Sequence, residues 1–477
     1  MNINNYFKNC RVSVIESAHK DAVLDHQQPI HTETGKMTQK LATAGLVLAA
    51  SVGSASAEKI KFEYWYGLTG DLGAVVAETC NRFNASQDQY EAVCVGQDGY
   101  EKAVQNTIAA FRAGKQPTIL QAFDAGTADL MLSGEFYPVT KLMADTGVKI
   151  DWADYFPGIA NYYSSKSGEF FSMPWNSSTP VYYFNKDQFA KAGITEAPIT
   201  WEGLEAVLVK LKASGQGCGL AYAPSSWIDL EQFSMANNVP VASNNNGYDG
   251  LDTTLLFNTT LHVKHMQNMQ RWITEGLAKL RTQASGKTAR DSFLEGECSV
   301  FFSSIADHNT ISKLKPTFAW DVQIIPTYEG VERKNTVVGG ASLWVLSGKT
   351  DDEYKAAASY LAFLATKPEQ QFLLENSGYI PVTKSTYAAL KAEGFYSKEP
   401  YINRDIAMKS LTWTEPTALT RGIRLGNFIQ IRAEWQAEVE AALAGQKTMQ
   451  EALDTAVARG NELLARFAQT YPGKSFP

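Results

Sequence analysis

Short apolar segments alternate with amphipathic helices along most of this sequence, and this alternation limits the folds that it can adopt. Ile60, Phe62 and Tyr64 alternate with charged residues, and a period of two is typical of a strand with one buried face. A helix predicted over 71–83 and an apolar strand over 90–95 follow. Strands that alternate with helices in this way predict an α/β unit with a largely parallel sheet.

The same alternation recurs in a second region and again near the C-terminus. Further strands are predicted over 118–123, 181–184, 219–222, 299–303 and 337–346. Thr200 is predicted to cap a helix that ends at Gly215, and Thr448 and Glu451 match a capping box in the mainly helical C-terminal quarter. At 477 residues the chain exceeds what one hydrophobic core usually fills. We therefore predict an α/β fold of two lobes with a ligand cleft between them.

An N-terminal segment is predicted to be a leader and signal peptide that spans 1–57. Lys40 precedes an apolar run over 41–52, and small residues at 55–57 follow in the A-x-A spacing of a cleavage site. The polar stretch before Met37 indicates a misplaced start codon or an unusually long leader. A buried N-terminal helix is the competing interpretation, and the apolar run is too short to span a bilayer. We expect an exported, soluble mature protein.

The net charge and the cysteines indicate which partners and which cellular compartment suit this protein. The formal net charge is −7, so we expect no nucleic-acid partner, because phosphate backbones bind to basic surfaces. An anionic ligand would need a local cationic pocket. Cys80, Cys94, Cys218 and Cys298 permit two disulfides in an oxidising compartment, and Cys80–Cys94 with Cys218–Cys298 is the plausible pairing. Buried free thiols fit equally well, and the absence of a C-x-x-C motif argues against a metal site.

Signatures of catalysis are largely missing from the sequence. It contains no G-x-S-x-G elbow, no Walker loop and no H-E-x-x-H motif. His262 and His265 could share one helical face, but no third ligand is apparent, so we expect a solvated helix face rather than a zinc site. We therefore expect no catalytic residue, no metal and no cofactor. Paired carboxylates for glycoside hydrolysis stay open, because Asp and Glu are too numerous to single out.

Aromatic residues adjoin small polar residues in several predicted strand-to-helix turns. Such turns occur at 65–67, 174–178 and 226–227. Aromatic faces beside hydroxyl and amide groups suit a polar organic molecule that also has apolar C–H faces. These turns therefore predict a binding site for a small polar ligand.

Several longer segments together carry a resemblance to a known family. They are 109–112, 176–180, 339–345, 424–427 and 452–457. They resemble the periplasmic glycerol-3-phosphate-binding proteins that serve ABC importers, and the similarity extends from Phe62 to about Phe467. The resemblance implies a two-lobe periplasmic-binding-protein fold, a periplasmic monomer, and a membrane permease and ATPase as partners.

The resemblance also implies the limits of the two lobes. Lobe I is expected over 58–175 plus 327–380, and lobe II over 176–326 plus 381–477. The chain is expected to cross between them near Trp175, Pro326 and Pro381.

A set of ligand-binding residues follows from the same resemblance. They are Tyr100, Asp124, Ser178, Trp227, Ser304, Gly340, Tyr379 and Arg432. Arg432 takes the place of the key cation, and its planar fork of donors suits a phosphate group. Asp124 stands where the family pattern has glutamate and would accept hydrogen bonds from hydroxyl groups. Trp227 matches one of two tryptophans that wall the pocket, and the other position is Pro224 here.

Arg432 and Asp124 are expected at opposite ends of a small cleft, where they would select an anionic head with a hydroxylated tail. Tyr100 is expected at the glycerol moiety, and the remaining phosphate contacts from Ser178, Ser304, Tyr379 and the Gly340 N–H group. The competing interpretations are a surface ion pair of Arg432 with Glu434 or Glu438 and a helix cap by Asp124 before Thr127. Because no apolar core is lost, we expect Arg432→Ala to abolish binding and leave the fold intact.

The predicted function is capture of sn-glycerol-3-phosphate, with glycerophosphodiesters as further ligands, and delivery to a membrane permease. Pro224 in place of an aromatic wall would admit a larger headgroup such as glycerophosphocholine. One alternative is an oligosaccharide-binding protein of the same fold. The other is a secreted glycerophosphodiester hydrolase, which would need a metal cluster or a nucleophile–base pair that His262, His265 and His308 do not readily supply.

Overall fold

A computed structural model describes residues 58–477, and the signal peptide predicted over 1–57 lies outside them. The strands are β1 (Ile60–Tyr66), β2 (Tyr90–Gly96), β3 (Ile119–Phe123), β4 (Phe136–Tyr137), β5 (Met173–Ser178), β6 (Pro180–Asn185), β7 (Leu220–Tyr222), β8 (Ala278–Leu280), β9 (Val300–Ser304), β10 (Trp320–Ile324) and β11 (Gly339–Leu346). Among these residues no helix has the length and apolar character that crossing a membrane requires.

The helices alternate with these strands and then dominate the C-terminal part. They are α1 (Gly70–Ser86), α2 (Tyr100–Arg112), α3 (Thr127–Ser133), α4 (Val139–Thr146), α5 (Pro157–Tyr163), α6 (Lys186–Lys191), α7 (Trp201–Ala213), α8 (Phe233–Ala236), α9 (Ser243–Asn246), α10 (Leu261–Thr274), α11 (Ala289–Leu294), α12 (Asp307–Leu314), α13 (Asp351–Ala365), α14 (Lys367–Asn376), α15 (Lys384–Ala392), α16 (Ile406–Leu411), α17 (Phe428–Leu443) and α18 (Met449–Thr470). A 3₁₀ turn at Asp124–Gly126 and a π-helical turn at Ser226–Gln232 matter for the site.

The first sheet contains six strands. β1 pairs in parallel with β2 and β3, and β11 runs antiparallel to β3, β4 and β5. Phe62 and Tyr64 of β1 are buried, so the alternation predicted from the sequence is confirmed. Helix α1 packs against β2 and buries Val76 and Phe83 in the same core.

The second sheet contains five strands in the order β10-β6-β9-β7-β8. β6 is antiparallel to β9 and β10, whereas β7 is parallel to β8 and β9. Helix α7 begins at the predicted cap, where the Thr200 hydroxyl accepts the Gly203 N–H group. Its Leu204 and Leu208 pack in one core with Leu220 of β7. Both sheets are therefore built from the predicted alternation of strands and helices.

The chain changes sheet within one residue. β5 ends at Ser178 in the first sheet and β6 begins at Pro180 in the second, so Thr179 alone separates them. The predicted crossing near Trp175 lies a few residues before this point. The chain returns to the first sheet between β10 and β11, a stretch that includes Pro326. The limits of the two lobes stay a prediction.

Helix α17 contacts loops of both sheets. It packs against α18, against the 3₁₀ turn that follows β3, and against the π-helical turn that follows β7. Helix α18 begins with the predicted capping box, in which Thr448 accepts from the Glu451 N–H group and Glu451 accepts from the Thr448 N–H group. One helix is thus positioned to bring side chains between the carboxyl ends of strands from the two sheets.

The histidine pair of α10 lies in the core, so the expected solvated helix face was wrong. His262 and His265 are fully buried. The His265 ring stacks on Phe233 with ring centroids 4.0 Å apart, and His262 Nε2 accepts the Trp435 indole N–H at 3.0 Å. Burial lowers the pKa of both imidazoles, which favours the neutral form. Neutral imidazoles can therefore serve as aromatic core residues.

Both predicted disulfides are confirmed. Cys80 at the end of α1 is bonded to Cys94 in β2, and Cys218 before β7 is bonded to Cys298 before β9. The first bond joins residues 14 apart in sequence and the second joins residues 80 apart. The first bond joins helix α1 to strand β2, and the second joins the segments that lead into the paired strands β7 and β9.

The difference in loop length predicts a difference in stability. We expect Cys218→Ser with Cys298→Ser to lower the free energy of unfolding by about 4 kcal/mol, because the longer loop gains more chain entropy when it is opened. Cys80→Ser with Cys94→Ser should cost about 3 kcal/mol for the shorter loop. Urea denaturation followed by circular dichroism measures both values. An unchanged midpoint in either double variant would contradict the prediction.

Candidate ligand-binding site

Arg432 lies one turn into α17 and is held between two carboxylates. Its Nη2 donates to Oδ1 of Asp124 at 2.6 Å and to Oε2 of Glu231 at 2.7 Å. Asp124 directly follows β3 of the first sheet, and Glu231 belongs to the π-helical turn after β7 of the second sheet. The Arg432 side chain is only 13% exposed. A single buried guanidinium thus forms ion pairs with both halves of the fold.

The electrostatics of this cluster depend on burial and on charge pairing. Burial alone would lower the pKa of the Arg432 guanidinium, but the attraction of Asp124 and Glu231 outweighs it and raises the pKa above its usual value. Burial raises the pKa of Glu231 to about 7, against the opposing attraction of Arg432. The rings of Phe123 and Phe428 lie 5.7 and 5.2 Å from the guanidinium carbon. The cation is therefore shielded from solvent and paired with two acidic side chains.

Gly340 supplies a backbone donor to the same cluster. Its N–H group donates to Oδ2 of Asp124 at 3.2 Å. The residue has a φ of +109°, and a Cβ atom there would lie 2.0 Å from the carbonyl oxygen of Asn176. Both the backbone conformation and the close approach therefore require glycine.

Trp227 covers the neighbouring end of β11. A Cβ atom on Gly339 would lie 2.3 to 2.5 Å from three atoms of the indole, so the ring rests directly on the glycine backbone. The Trp227 indole N–H is buried without a hydrogen-bond partner among the described residues. Buried donors are rarely left unpaired, so this N–H is available to a ligand acceptor. Gly339 pairs with the buried Ser178 across the sheet, which places that serine on the same strand ends.

A network of phenol and amide groups adjoins Phe123. Asn176 Nδ2 donates to the Tyr100 hydroxyl at 2.8 Å, and Gln121 Nε2 donates to Asn176 Oδ1 at 2.9 Å. The Tyr100 ring stacks on Phe123 with centroids 5.5 Å apart. Burial raises the pKa of Tyr100 and of Tyr379, which interacts with Tyr100 and Asn176. Both phenols therefore stay neutral and can donate or accept a hydrogen bond.

Ser304 lies at the end of β9, opposite Pro180 at the start of β6. Its hydroxyl accepts the Ala306 N–H group at 3.1 Å, and its carbonyl accepts the Tyr183 hydroxyl at 2.9 Å. The structure thus places Ser304 beside the crossing at Thr179, and Thr179 directly follows Ser178 in the sequence. Of the predicted set, Asp124 and Gly340 are joined to Arg432 through hydrogen bonds. In the described chain the other predicted residues lie around this cluster without a hydrogen bond to it: Tyr100, Ser178, Trp227, Ser304 and Tyr379.

Residues 78–404 match the model of a family described as bacterial extracellular solute-binding protein. The chain belongs to this family. Among its curated relatives is the sn-glycerol-3-phosphate-binding periplasmic protein UgpB of Yersinia enterocolitica, with 40% identity over 435 residues, 89% of this chain and 96% of the relative. The protein of the same name from Escherichia coli K12 is 37% identical over 449 residues, 93% of this chain and 99% of the relative. The resemblance inferred from the sequence is therefore confirmed.

Solved structures show the fold of this solute-binding protein. The UgpB of Mycobacterium tuberculosis in complex with glycerophosphocholine superposes with a TM-score of 0.70 at 18% identity and covers 86% of this chain and 100% of its own. Maltose-bound MalE3 of T. maritima gives 0.68 at 17% identity, covering 85% and 100%. The predicted two-lobe α/β fold is therefore confirmed.

The predicted separation of Arg432 and Asp124 was wrong. The two side chains are in direct contact and not at opposite ends of a cleft. A buried guanidinium that kept no counter-charge would lose far more hydration than it could recover, so it pairs with the nearest carboxylates. Glu434 and Glu438, the alternative partners considered for Arg432, are bound by Arg459 instead.

The structure also shows where Asp124 and Pro224 lie relative to the elements that the sequence associated with them. Asp124 does not cap the helix at Thr127, because α3 has Gly126 at its N-cap and no side-chain cap bond. Pro224 is buried, and its carbonyl accepts from Gln436 Nε2 of α17 at 3.0 Å, one turn beyond Arg432. Position 224 therefore borders the same helix face as the cluster without supplying an aromatic ring.

Glu231 was missed by the sequence reasoning. It lies four residues after Trp227, where apolar and acidic residues alternate and suggest an exposed edge. Its partner Arg432 is 201 residues away, so no local pattern signals the pairing. A buried carboxylate can be recognised only once its cation is known.

Gly340 is expected to tolerate no side chain. Gly340→Ala should lower the free energy of unfolding by about 3 kcal/mol, because positive φ and overlap with the Asn176 carbonyl both oppose the new Cβ atom. Gly134→Ala is a matched control, since Gly134 has a φ of +74° but open space around it, and should cost about 1 kcal/mol. Urea denaturation measures the difference. Equal losses in the two variants would contradict the assigned packing.

The ion pairs of Arg432 predict a loss of stability that the sequence reasoning did not expect. At about pH 8, Arg432→Ala leaves two buried carboxylates uncompensated and should cost about 3 to 5 kcal/mol. At about pH 5 the loss should shrink, because burial raises the pKa of Glu231 to about 7, so this carboxyl is protonated at that pH and no longer needs a counter-charge. Arg459→Ala removes an exposed arginine with two carboxylate partners and should cost less than about 1 kcal/mol. Thermal unfolding at both pH values tests this, and equal effects of the two variants would contradict it.

Proposed function

We propose that this protein captures sn-glycerol-3-phosphate or a glycerophosphodiester in the periplasm and delivers it to an importer without chemical turnover. The observation that carries the proposal is the convergence of Arg432, Asp124 and the Gly340 N–H group beside neutral phenols and an unpaired indole N–H. Relatives that are 37–40% identical over most of the chain carry the name of sn-glycerol-3-phosphate-binding periplasmic proteins.

The contact between Arg432 and Asp124 changes the role that we propose for the arginine. A guanidinium next to a carboxylate offers donors and acceptors side by side, and a hydroxyl group both donates and accepts. Two adjacent hydroxyls of a glycerol moiety can therefore bind to both side chains at once. A phosphate group near the two carboxylates would be repelled, so the polyol end suits this cluster.

The phosphate group would then be bound by neutral donors. The indole N–H of Trp227, the hydroxyls of Ser178 and Ser304 and the phenol of Tyr379 can donate to phosphate oxygens without adding charge. Neutral donors can hold an anion in a buried site because its electrostatic interactions there are strengthened. A phosphodiester carries one charge fewer than a phosphomonoester dianion, so this arrangement favours a glycerophosphodiester.

Isothermal calorimetry with sn-glycerol-3-phosphate, glycerophosphocholine and maltose tests the proposal. We expect one ligand per protein for a glycerophosphoryl compound, and about 10- to 100-fold weaker binding in Asp124→Asn, because a charged acceptor of hydroxyl groups is lost. Glu434→Gln, which removes a carboxylate paired with Arg459, is the matched control and should bind like the wild type.

The outcomes separate the competing functions. Binding of maltose alone would favour an oligosaccharide-binding protein. Release of choline from glycerophosphocholine on prolonged incubation would favour a hydrolase. Absence of binding to both glycerophosphoryl compounds by the folded protein would end the proposal.

A further inference from the structure

Glu231 sets the charge of the candidate site from inside the protein. Its side chain is 1% exposed, less than the 6% of Asp124 and the 13% of Arg432. Its Oε2 accepts from Arg432 Nη2, and its Oε1 lies 2.6 Å from Arg432 Nε, although neither of these two atoms is aligned for a hydrogen bond. The carboxylate therefore acts on the guanidinium mainly through its charge.

The charges of the cluster do not cancel. Arg432 contributes one positive charge and is paired with two acidic side chains, Asp124 and Glu231, so the acidic groups outnumber the cation by one when Glu231 is ionised. A small dianion that reached Arg432 would be attracted by one group and repelled by two. Without Glu231 one of the two repulsive charges would be removed, and the guanidinium, still paired with Asp124, would attract a tetrahedral anion more strongly.

The carboxylates of Asp124 and Glu231 differ in their hydrogen-bond partners. Asp124 also accepts the Gly340 N–H group, which ties it to the backbone beside Trp227 and Ser178. In the described part of the chain, the hydrogen bond of Glu231 comes from Arg432. Asp124 therefore belongs to the ligand-facing side of the cluster, and Glu231 lies behind the guanidinium.

We propose that Glu231 is a specificity-determining residue that offsets the charge of Arg432, so that the guanidinium does not take up a free inorganic dianion and the cluster recognises its ligand through hydroxyl groups. The proposal rests on the proposed function, because it concerns the same site. It predicts that free inorganic anions do not compete with a glycerophosphoryl ligand while Glu231 is ionised.

Several titratable and charged groups surround Glu231 and influence its ionisation. Asp124, Arg432 and Tyr162 of α5 act on it or its partner, and Asp229 on the same turn interacts with His265 of α10. Burial raises the pKa of Tyr162 and lowers that of His265, which favours the neutral form of both groups. Burial raises the pKa of Glu231 to about 7, so Glu231 is protonated below that pH and ionised above it. Exclusion of anions should therefore be lost as the pH falls.

Sulfate is the suitable probe, because it is a tetrahedral dianion that does not titrate in this range. At about pH 8, Glu231→Gln should bind sulfate at least about tenfold more tightly than the wild type, because one repulsive charge is removed. From about pH 8 to about pH 6, the wild type should gain about tenfold in sulfate affinity and Glu231→Gln should not change. A merely structural role of Glu231 would produce neither gain.

Glu438→Gln is the matched control. Glu438 is a buried carboxylate on α17 that is bound by Lys447 and Arg459, away from the cluster. Its replacement should leave sulfate affinity and its pH dependence at the wild-type values. An equal gain in this variant would show a general charge effect and overturn the assignment to Glu231.

Calorimetry with glycerophosphocholine in parallel separates the two proposals. If the wild type binds neither glycerophosphoryl compound, the proposed function fails whatever sulfate does. If glycerophosphocholine binds but sulfate affinity is the same in Glu231→Gln and in the wild type, the inference about Glu231 fails alone. Should Glu231→Gln not fold, the pH dependence of the wild type decides, and equal sulfate affinity at both pH values overturns the proposal.

Discussion

The pairing of one buried guanidinium with carboxylates from both sheets is the interaction on which the candidate site depends. Arg432 could not stay within the protein without counter-charges, and each of its partners comes from a turn at the carboxyl end of a strand. The turn after β3 supplies Asp124 and the turn after β7 supplies Glu231. The cluster therefore determines where these turns and helix α17 lie relative to one another.

Close backbone packing completes the surroundings of this cluster. Gly339 admits the face of Trp227, and Gly340 brings its N–H group to Asp124 while it contacts the carbonyl of Asn176. The same asparagine continues into the network of neutral phenols. Charged groups, neutral donors and an aromatic face thus meet at the strand ends, a combination that suits a small molecule with hydroxyl groups and one anionic group.

Local sequence patterns predicted the elements well, because their physical causes are local. The alternation in β1, the cap at Thr200 and the capping box at Thr448 each depend on residues only a few positions apart. The four cysteines of the described chain left two disulfides and buried free thiols equally open, and the structure shows the two disulfides. The α/β fold class followed from the alternation of strands and helices, whereas the candidate site residues came from the resemblance. The family is now shown, and the roles of the individual residues stay predictions.

The errors concern interactions between residues that are distant in sequence. The contact of Arg432 with Asp124 spans 308 positions, and its contact with Glu231 spans 201, so no spacing could reveal either. The burial of His262 and His265 depends on Phe233 and Trp435 from other elements. Whether a polar side chain is solvated or buried is decided by tertiary packing, which periodicity within one helix does not contain.

Thr179 carries a mechanical consequence of the fold. It is the one residue between β5 of the first sheet and β6 of the second, it is fully buried, and its hydroxyl donates to the Ala407 carbonyl at 3.1 Å. Such a connection has no slack. Rotation of one sheet against the other must therefore be accommodated at this point by the torsion angles of Thr179 and its two neighbours, whereas the longer connection between β10 and β11 can spread the same change over many residues.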